Sequence, residues 1–479
     1  MIIKKITNWS YLNSHKQIIF IILFGLLCRI IFTIFIAENY FGRSNIFVDG
    51  DTWAWLNSFI NLIEYGSYAI NLEHEYSYFF RMPGYSFFLG ILYYLTGQNT
   101  VITFPIVAVI QIIADTICIW FVYKIASKLF NNEKISLISA LLYSCYPFII
   151  VWTPVAYSES LSIFFMLLSL YSFVFNHQFK YFITGAFISL ALLFRPQIAL
   201  LIPIYIIVII IQNKNSFKIM FKLMLQFGVA ILLIYGAWPA RNYINYNKIV
   251  FTQDLRGAAN WNLDVISFMQ YIYSVKAEWA PQFFNIIHNK NVVFPSNAYL
   301  NNEDSIKLQR AVYLAKNCGS GFSHWKGYWK EQIEGENCNE EIKQIFDNLR
   351  EKQIKANPFN FYILIPLKNL KKAVFKSCLN DNSSLTRKLA SLLFYYRTLL
   401  LILGISGGII LIKHKNIYWS ILLGLPFVLY FILCFGTEVQ LRNIEMRYFL
   451  PADILLLFPA AYFIVKIKEW FSLLEFGKY

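Results

Sequence analysis

Gly84-Tyr-Ser-Phe-Phe-Leu-Gly-Ile-Leu-Tyr-Tyr-Leu-Thr-Gly97 is an apolar run of 14 residues closed by glycine at each end. A helix needs about 20 apolar residues to cross a hydrocarbon core about 30 Å thick. The run is too short to span, so the orientation of everything after it turns on this segment. It is expected to lie in the interface, or to re-enter, on the outer side. The surrounding chain of 479 residues is 57% hydrophobic, 19% aromatic and 14% charged, too little polar side chain to clothe a soluble globule of that size. The fold class this predicts is an all-α polytopic membrane protein.

Apolar runs at 17–37, 101–123, 135–155, 158–175, 219–239, 388–411, 417–435 and 449–467 are long enough to cross as helices. Lysines orient them: Lys4, Lys5 and Lys16 before the first run, Lys124, Lys128 and Lys134 after the second, Lys214, Lys218 and Lys222 before the 219 run, and Lys413 with Lys415 all read as cytoplasmic. Residues 181–211 as one straight helix would run about 46 Å, yet Lys180 and Lys214 both read as cytoplasmic. A hairpin of two short helices turning near Arg195-Pro196-Gln197 meets both constraints, with proline ending the first helix. The count is ten crossings with both termini cytoplasmic, and the N-terminal run reads as a retained anchor.

Three parts follow: a transmembrane catalytic module over 1–239 with its first outer loop at 38–100, an extracytoplasmic domain over 240–387, and C-terminal transmembrane helices over 388–479. The middle part carries charge clusters and amphipathic stretches such as Glu303 to Lys316 and Glu340 to Lys355, and ends in an interfacial segment from Phe359 to Phe375. The net charge of +15 falls in short lysine clusters between apolar runs, which argues against nucleic acid as a partner. Of seven cysteines, Cys28, Cys118, Cys145 and Cys434 read as small hydrophobes in apolar segments. Among Cys318, Cys338 and Cys378, the pair Cys318 and Cys338 would close the short loop, but pairing is not readable from sequence.

A charge inside the membrane costs about 2.5–3.5 kcal/mol on insertion scales and calls for a partner, a wet cavity or a function. Arg29, Asp115, Glu159, Arg195, Arg397 and Asp453 lie within or at the ends of apolar runs. Arg29 with Asp115 reads equally as a structural pair. Glu159 and Arg195 fall at outer helix ends, on the side of Asp49 and Asp51 in Asn45-Ile-Phe-Val-Asp-Gly-Asp-Thr-Trp-Ala-Trp55. A carboxylate pair there suits deprotonation of a weak nucleophile, metal binding, or both. Arg81 in Arg81-Met-Pro-Gly-Tyr85, Arg241 beside Asn242, and Arg447 beside Tyr448 would form an outer ring of guanidiniums, each able to bind phosphate bidentately. Singly, each reads as an arginine snorkelling at the interface.

The ordered set of Asp51, Arg81-Met-Pro-Gly-Tyr85, Glu159 in Tyr157-Ser-Glu-Ser160, Gly185 through Arg195-Pro196, Trp238-Pro-Ala-Arg-Asn242 and Glu445-Met-Arg-Tyr448 resembles the polyprenyl-phosphate-dependent glycosyltransferases of the GT-C fold. More narrowly it is similar to the bacterial relatives of protein O-mannosyltransferases and lipid A aminoarabinose transferases. The likeness covers most of 17–245 and the last helix, and is loose over 250–440. Ser86 stands where the family's Arg-x-Pro-Gly-Tyr-Pro run has its second proline, and Trp55 where it usually has a tyrosine.

The resemblance implies an inverting transfer of a sugar from a polyprenyl phosphate carrier to an extracytoplasmic glycan, lipid or protein, at the inner membrane. Asp51 would be the general base, with Asp49 its competitor. Arg81, Arg195, Arg241 and Arg447 would hold the donor phosphate, and Glu159, Tyr85, Asn242 and Tyr448 would contact substrate. No cofactor is required by a monophosphate leaving group, while Asp49 and Asp51 keep a divalent cation open. Richness in Ile, Asn, Lys, Phe and Tyr points to undecaprenyl as the carrier. The alternatives are a transporter or flippase of lipid-linked saccharide, for which intramembrane charges are also expected, and a polymerase of such saccharides.

Overall fold

The computed structural model describes residues 14–72, 75–175, 177–254, 262–323, 337–375, 385–413, 418–438 and 445–476. Within them the protein is an all-α bundle with no strand, only an isolated bridge between Gly319 and Asn337. Helix α1 (Ser14–Phe41) has a mean hydropathy of 2.8 and leaves most of its surface uncovered by the rest of the protein. It is followed by α2 (Gly50–Tyr65), α3 (Pro83–Leu95), α4 (Thr100–Phe130), α5 (Glu133–Ser144) and α6 (Glu159–Val174). Then come α7 (Lys180–Phe194), α8 (Leu201–Gln212), α9 (Phe217–Ile234) and α10 (Ala237–Tyr246). A hydrophilic domain contributes α11 (Leu263–Val275), α12 (Ala280–Ile287), α13 (Asn302–Asn317) and α14 (Asn339–Ala356). Helices α15 (Ile365–Phe375), α16 (Leu385–Lys413), α17 (Trp419–Phe435) and α18 (Met446–Phe476) complete the chain.

Five helices are long and apolar enough to cross a bilayer, among them α1, α4, α9 and most of α18, and four shorter apolar helices accompany them among the described residues. The short run after Arg81 is α3, begun by Pro83 at its first position with Met82 extended before it. Gly84 is needed there, because a Cβ would stand 2.8 Å from the Leu193 carbonyl. Residues 181–211 fold as the expected hairpin. Arg195, preceding proline, is extended (φ −146°, ψ 121°), and Phe173 packs on both Tyr181 and Tyr205, one from each arm.

The run at 135–155 departs from a single span. Helix α5 stops at Ser144 and only one turn, Pro147–Ile150, follows before irregular backbone up to α6. Tyr146 precedes proline and takes an extended conformation, so the helix cannot run through. Helix α2 was not foreseen. Lys4, Lys5, Lys415 and Cys378 lie outside the described residues.

Two buried ion pairs staple the bundle. Arg29 of α1 meets Asp115 of α4 at 2.5 Å, and Tyr143 donates to the same carboxylate. Arg397 of α16 meets Asp453 of α18 at 2.7 Å, with Tyr146 and Tyr430 donating to that carboxylate at 2.8 and 2.7 Å. Removing one partner of such a pair costs about 3–5 kcal/mol, so these four charges are structural. The hydrophilic domain has its own core around Phe268, Phe283, Phe322 and Phe346, and a Cys318–Cys338 disulfide ties α13 to the start of α14.

Candidate active site

The two aspartates of the first outer loop are separated by the helix start they create. Asp49 is the N-cap of α2: its side chain accepts the Gly50 N–H at 2.8 Å, and the Thr52 hydroxyl accepts the Asp49 N–H at 3.1 Å. Asp49 also pairs with Arg43 at 3.0 Å. Asp51 stands in the first turn with its carboxylate free to point outward. Its Oδ1 meets Arg81 at 2.6 Å and its Oδ2 meets Arg447 at 2.9 Å, bringing residues from the first loop, the start of α3 and the start of α18 together. Burial alone would raise the Asp51 carboxyl, but the two guanidiniums together hold it well below the usual carboxylate range.

Three cavities meet around this centre. The first is a small space of about 30 Å³ bordered by Asp51, Arg81, Arg195, Gln197, Arg447 and Tyr448. Its guanidiniums are held in fixed directions: Arg81 over Trp55 at 4.5 Å, Arg195 over Tyr448 at 5.1 Å and paired with Glu159, Arg447 over Tyr157 at 5.2 Å. Arg81 Nε and Gln197 Oε1 are buried without a hydrogen-bond partner among the described residues. The second cavity, about 320 Å³, is bordered by Asp49, Asp51, Trp152, Tyr157, Glu445 and Arg447. The third is an apolar groove of about 500 Å³ between Leu62, Pro83, Phe87, Leu190, Leu193 and Trp238. Phe194 borders both this groove and the cationic cavity.

The irregular backbone before α6 forms part of this centre, and its polar groups are satisfied by side chains. Gln111, fully buried in α4, donates to the Thr153 and Val155 carbonyls at 2.9 and 2.7 Å and accepts from Tyr85 at 2.9 Å. The Thr52 hydroxyl donates to the Ala156 carbonyl at 3.2 Å, and Tyr157 accepts the Asp51 N–H at 3.4 Å. Non-helical backbone at this depth is tolerable because it is wrapped in protein. Gln111, Trp152 and Gln197 had no assigned role from sequence. The one usable signal was a glutamine in the middle of an apolar helix.

Not every residue singled out from sequence reaches a cavity beside Asp51. Arg241 borders only the apolar groove, and its guanidinium is committed to the Tyr78 and Tyr68 carbonyls and Asn242 Oδ1, each at 2.8 Å. It clamps backbone instead of joining the arginine ring, because α10 turns it toward the 68–78 segment. Asn242 is fully buried and donates to the Val250 carbonyl at 2.9 Å. Tyr85 is spent on Gln111, and Glu159, 1% exposed, fixes Arg195 from behind. Tyr448 does border the cationic cavity.

The carboxylates beside Asp51 are each engaged with a guanidinium. Both Asp51 oxygens face guanidiniums, Asp49 faces Arg43, and Glu445 faces Arg447 at 2.8 Å, so their charge is already met. Among the described residues no group of three or more metal-ligating side chains converges.

This bundle, with its first-loop carboxylate near an apolar groove, has the GT-C fold. Residues 81–238 match the family of dolichyl-phosphate-mannose-protein mannosyltransferases. The archaeal oligosaccharyltransferase AglB from Archaeoglobus fulgidus, solved with an inhibitory peptide and a dolichol-phosphate, is similar over 96% of this chain and 52% of its own, at 14% identity and a TM-score of 0.50. A second structure of an oligosaccharyltransferase from that organism, tethered to an acceptor peptide, covers 95% of this chain and 50% of its own at 13% identity and a TM-score of 0.45. The chain thus spans about half the length of these structures. No curated protein matches it.

Proposed function

We propose that the protein is an inverting glycosyltransferase that moves a sugar from a polyprenyl phosphate carrier to an acceptor on the extracytoplasmic side of the cell membrane. The observation that carries this reading is the cavity where Arg81, Arg195 and Arg447 converge on Asp51, adjoining an apolar groove at Phe194. A polyprenyl phosphate has the matching shape: an isoprenoid chain for the groove and a phosphate head for guanidiniums, singly charged while it carries the sugar and gaining a second charge as the sugar leaves. The unpaired Arg81 Nε and Gln197 Oε1 leave one donor and one acceptor for a bound headgroup.

In the reaction, the acceptor hydroxyl attacks the anomeric carbon as Asp51 takes its proton. The bond from that carbon to the phosphate oxygen breaks, and the electron pair leaves with the phosphate, whose growing charge the arginines offset. The resting site is closed on its own ion pairs, and a carboxylate so firmly held is a weak base. Donor phosphate, by taking over Arg81 and Arg447, raises the basicity of Asp51 when both substrates are present. Three guanidiniums supply the counter-charge for the departing phosphate, so the reading requires no metal.

Native mass spectrometry of the full-length protein tests this. It should retain added undecaprenyl phosphate in preference to phosphatidylglycerol, and Arg195→Gln should weaken that retention. Equal retention of the two lipids would overturn the reading.

A further inference from the structure

Residues 247–254, the strap that follows α10, are non-helical, and three successive carbonyls of this strap are taken up by side chains from just upstream. Asn242 donates to the Val250 carbonyl at 2.9 Å, the Tyr235 hydroxyl to the Phe251 carbonyl, and the Trp238 indole N–H to the Thr252 carbonyl at 2.6 Å. The Asp254 N–H then donates to the carbonyl of Phe79, two residues before Arg81, at 2.9 Å. Gln253 is thus pinned through its neighbours on both sides, and it borders the cationic cavity with Arg81, Arg195 and Gln197. The Trp238-Pro-Ala-Arg-Asn242 stretch acquires one purpose. Trp238 and Asn242 hold the strap, while Arg241 holds the 68–78 backbone that leads into Arg81. Resting on the glycosyl-transfer reading above, we propose that Gln253, set in place by this strap, reads the donor sugar together with Gln197, at the hydroxyl next to the anomeric carbon.

The chemistry of the head group divides the polar side chains of this cavity into two sets. A phosphodiester has no O–H or N–H, so it accepts from guanidiniums but has nothing to donate to Gln197 Oε1, which is buried without a hydrogen-bond partner among the described residues. Its charged oxygens bond more strongly to a guanidinium than to a neutral amide. The phosphate therefore goes to Arg81, Arg195 and Arg447, and the amides of Gln197 and Gln253 are left for the sugar. Sugar and phosphate meet at the anomeric carbon, so amides that share a cavity with the phosphate-holding arginines lie nearest the ring position beside that carbon. A hydroxyl there donates and accepts, which matches the oxygen and the N–H groups of an amide. Hydrogen bonds to this hydroxyl strengthen as positive charge develops on the sugar ring, so the same contacts favour the transfer step.

The test is native mass spectrometry of the full-length protein with undecaprenyl phosphate and its glucose, mannose and 2-deoxyglucose phosphodiesters as probes. Glucose and mannose differ only in the orientation of the hydroxyl in question, and 2-deoxyglucose lacks it. The wild type should retain the glucose or the mannose donor roughly three- to tenfold better than the 2-deoxy donor, as one or two neutral hydrogen bonds allow. Gln253→Ala should narrow that ratio at least about twofold. Tyr235→Phe, which takes the hydroxyl from the Phe251 carbonyl at nearly constant shape, should narrow it in the same direction. No preference over the 2-deoxy donor in the wild type, or an unchanged ratio in either variant, would overturn the assignment. Retention of undecaprenyl phosphate against phosphatidylglycerol is read on the same preparation. If that preference stands, only the sugar assignment falls, and if it is lost the glycosyl-transfer reading falls with it.

Discussion

Replacing Arg447 by glutamine keeps a polar side chain of similar reach and removes one of the two cations on Asp51. The bond removed is charge-assisted, Arg447 Nη1 to Asp51 Oδ2 at 2.9 Å, with the carboxylate side chain 30% exposed. Such bonds contribute about 1.5–3 kcal/mol, and at 1.4 kcal/mol per decade the Asp51 carboxylate should bind a proton roughly ten- to a hundredfold more tightly. Removing a positive neighbour raises the carboxyl, so on acidification the basic form is lost at higher pH than in the wild type. The assay is kcat/KM for sugar transfer from a polyprenyl phosphate donor between pH 4 and 8, which reports the free enzyme. Wild-type protein should show no acid limb in that range, because Arg81 and Arg447 hold Asp51 well below it. The variant's acid limb should move up yet stay below that range, so the deciding reading is donor affinity, which should fall by a comparable factor. Unchanged donor affinity, or an acid limb inside the range in wild-type protein, would refute the reasoning.

Arg241→Lys should lower thermal stability by about 2–3 kcal/mol, since one ammonium cannot replace bonds to Tyr78, Tyr68 and Asn242 together, while donor affinity of the folded variant stays as in wild type. Weakened donor binding at full stability would return Arg241 to the phosphate site. In the hydrophilic domain, burial pushes the Asp264 carboxyl up to about 6, with the Gly321 N–H bond only partly offsetting it. The folded state thus holds this proton more tightly than the unfolded one. The resulting stability is fully present below the ordinary carboxyl value, is lost as pH rises through about 6, and amounts to about 3 kcal/mol at most. Hydrogen exchange in α11 should slow as pH falls from 7 to 5 once intrinsic rates are divided out, and Asp264→Asn should abolish that dependence.

Length against bilayer thickness made the short helix α3 and the hairpin at Arg195-Pro196 legible, because neither depends on distant contacts. The meeting of Asp51, Arg81 and Arg447 was legible from their common outer position. Arg241 shared that position, yet its direction is set by the turn of α10 against the 68–78 segment, which no local pattern encodes. The run at 135–155 misled because hydropathy is blind to the Tyr146-Pro147 break. Asp49 stood as the competitor of Asp51, and the start of α2 separates the two, since a shift of two residues along the helix turns a cap into an outward side chain. Gln111 was visible as a glutamine in an apolar helix, but its role was out of reach, because its bonds go to backbone more than 40 residues away.

The central claim is that Asp51 performs the chemistry while the arginines around it bind the donor. Asp51→Asn tests it with two readings on one preparation, single-turnover sugar transfer and donor retention. The account predicts transfer lower by roughly two to four orders of magnitude, with the donor held at least as tightly because Arg81 and Arg447 no longer face a competing carboxylate. Transfer at the wild-type rate, or loss of donor binding in a folded variant, would contradict it.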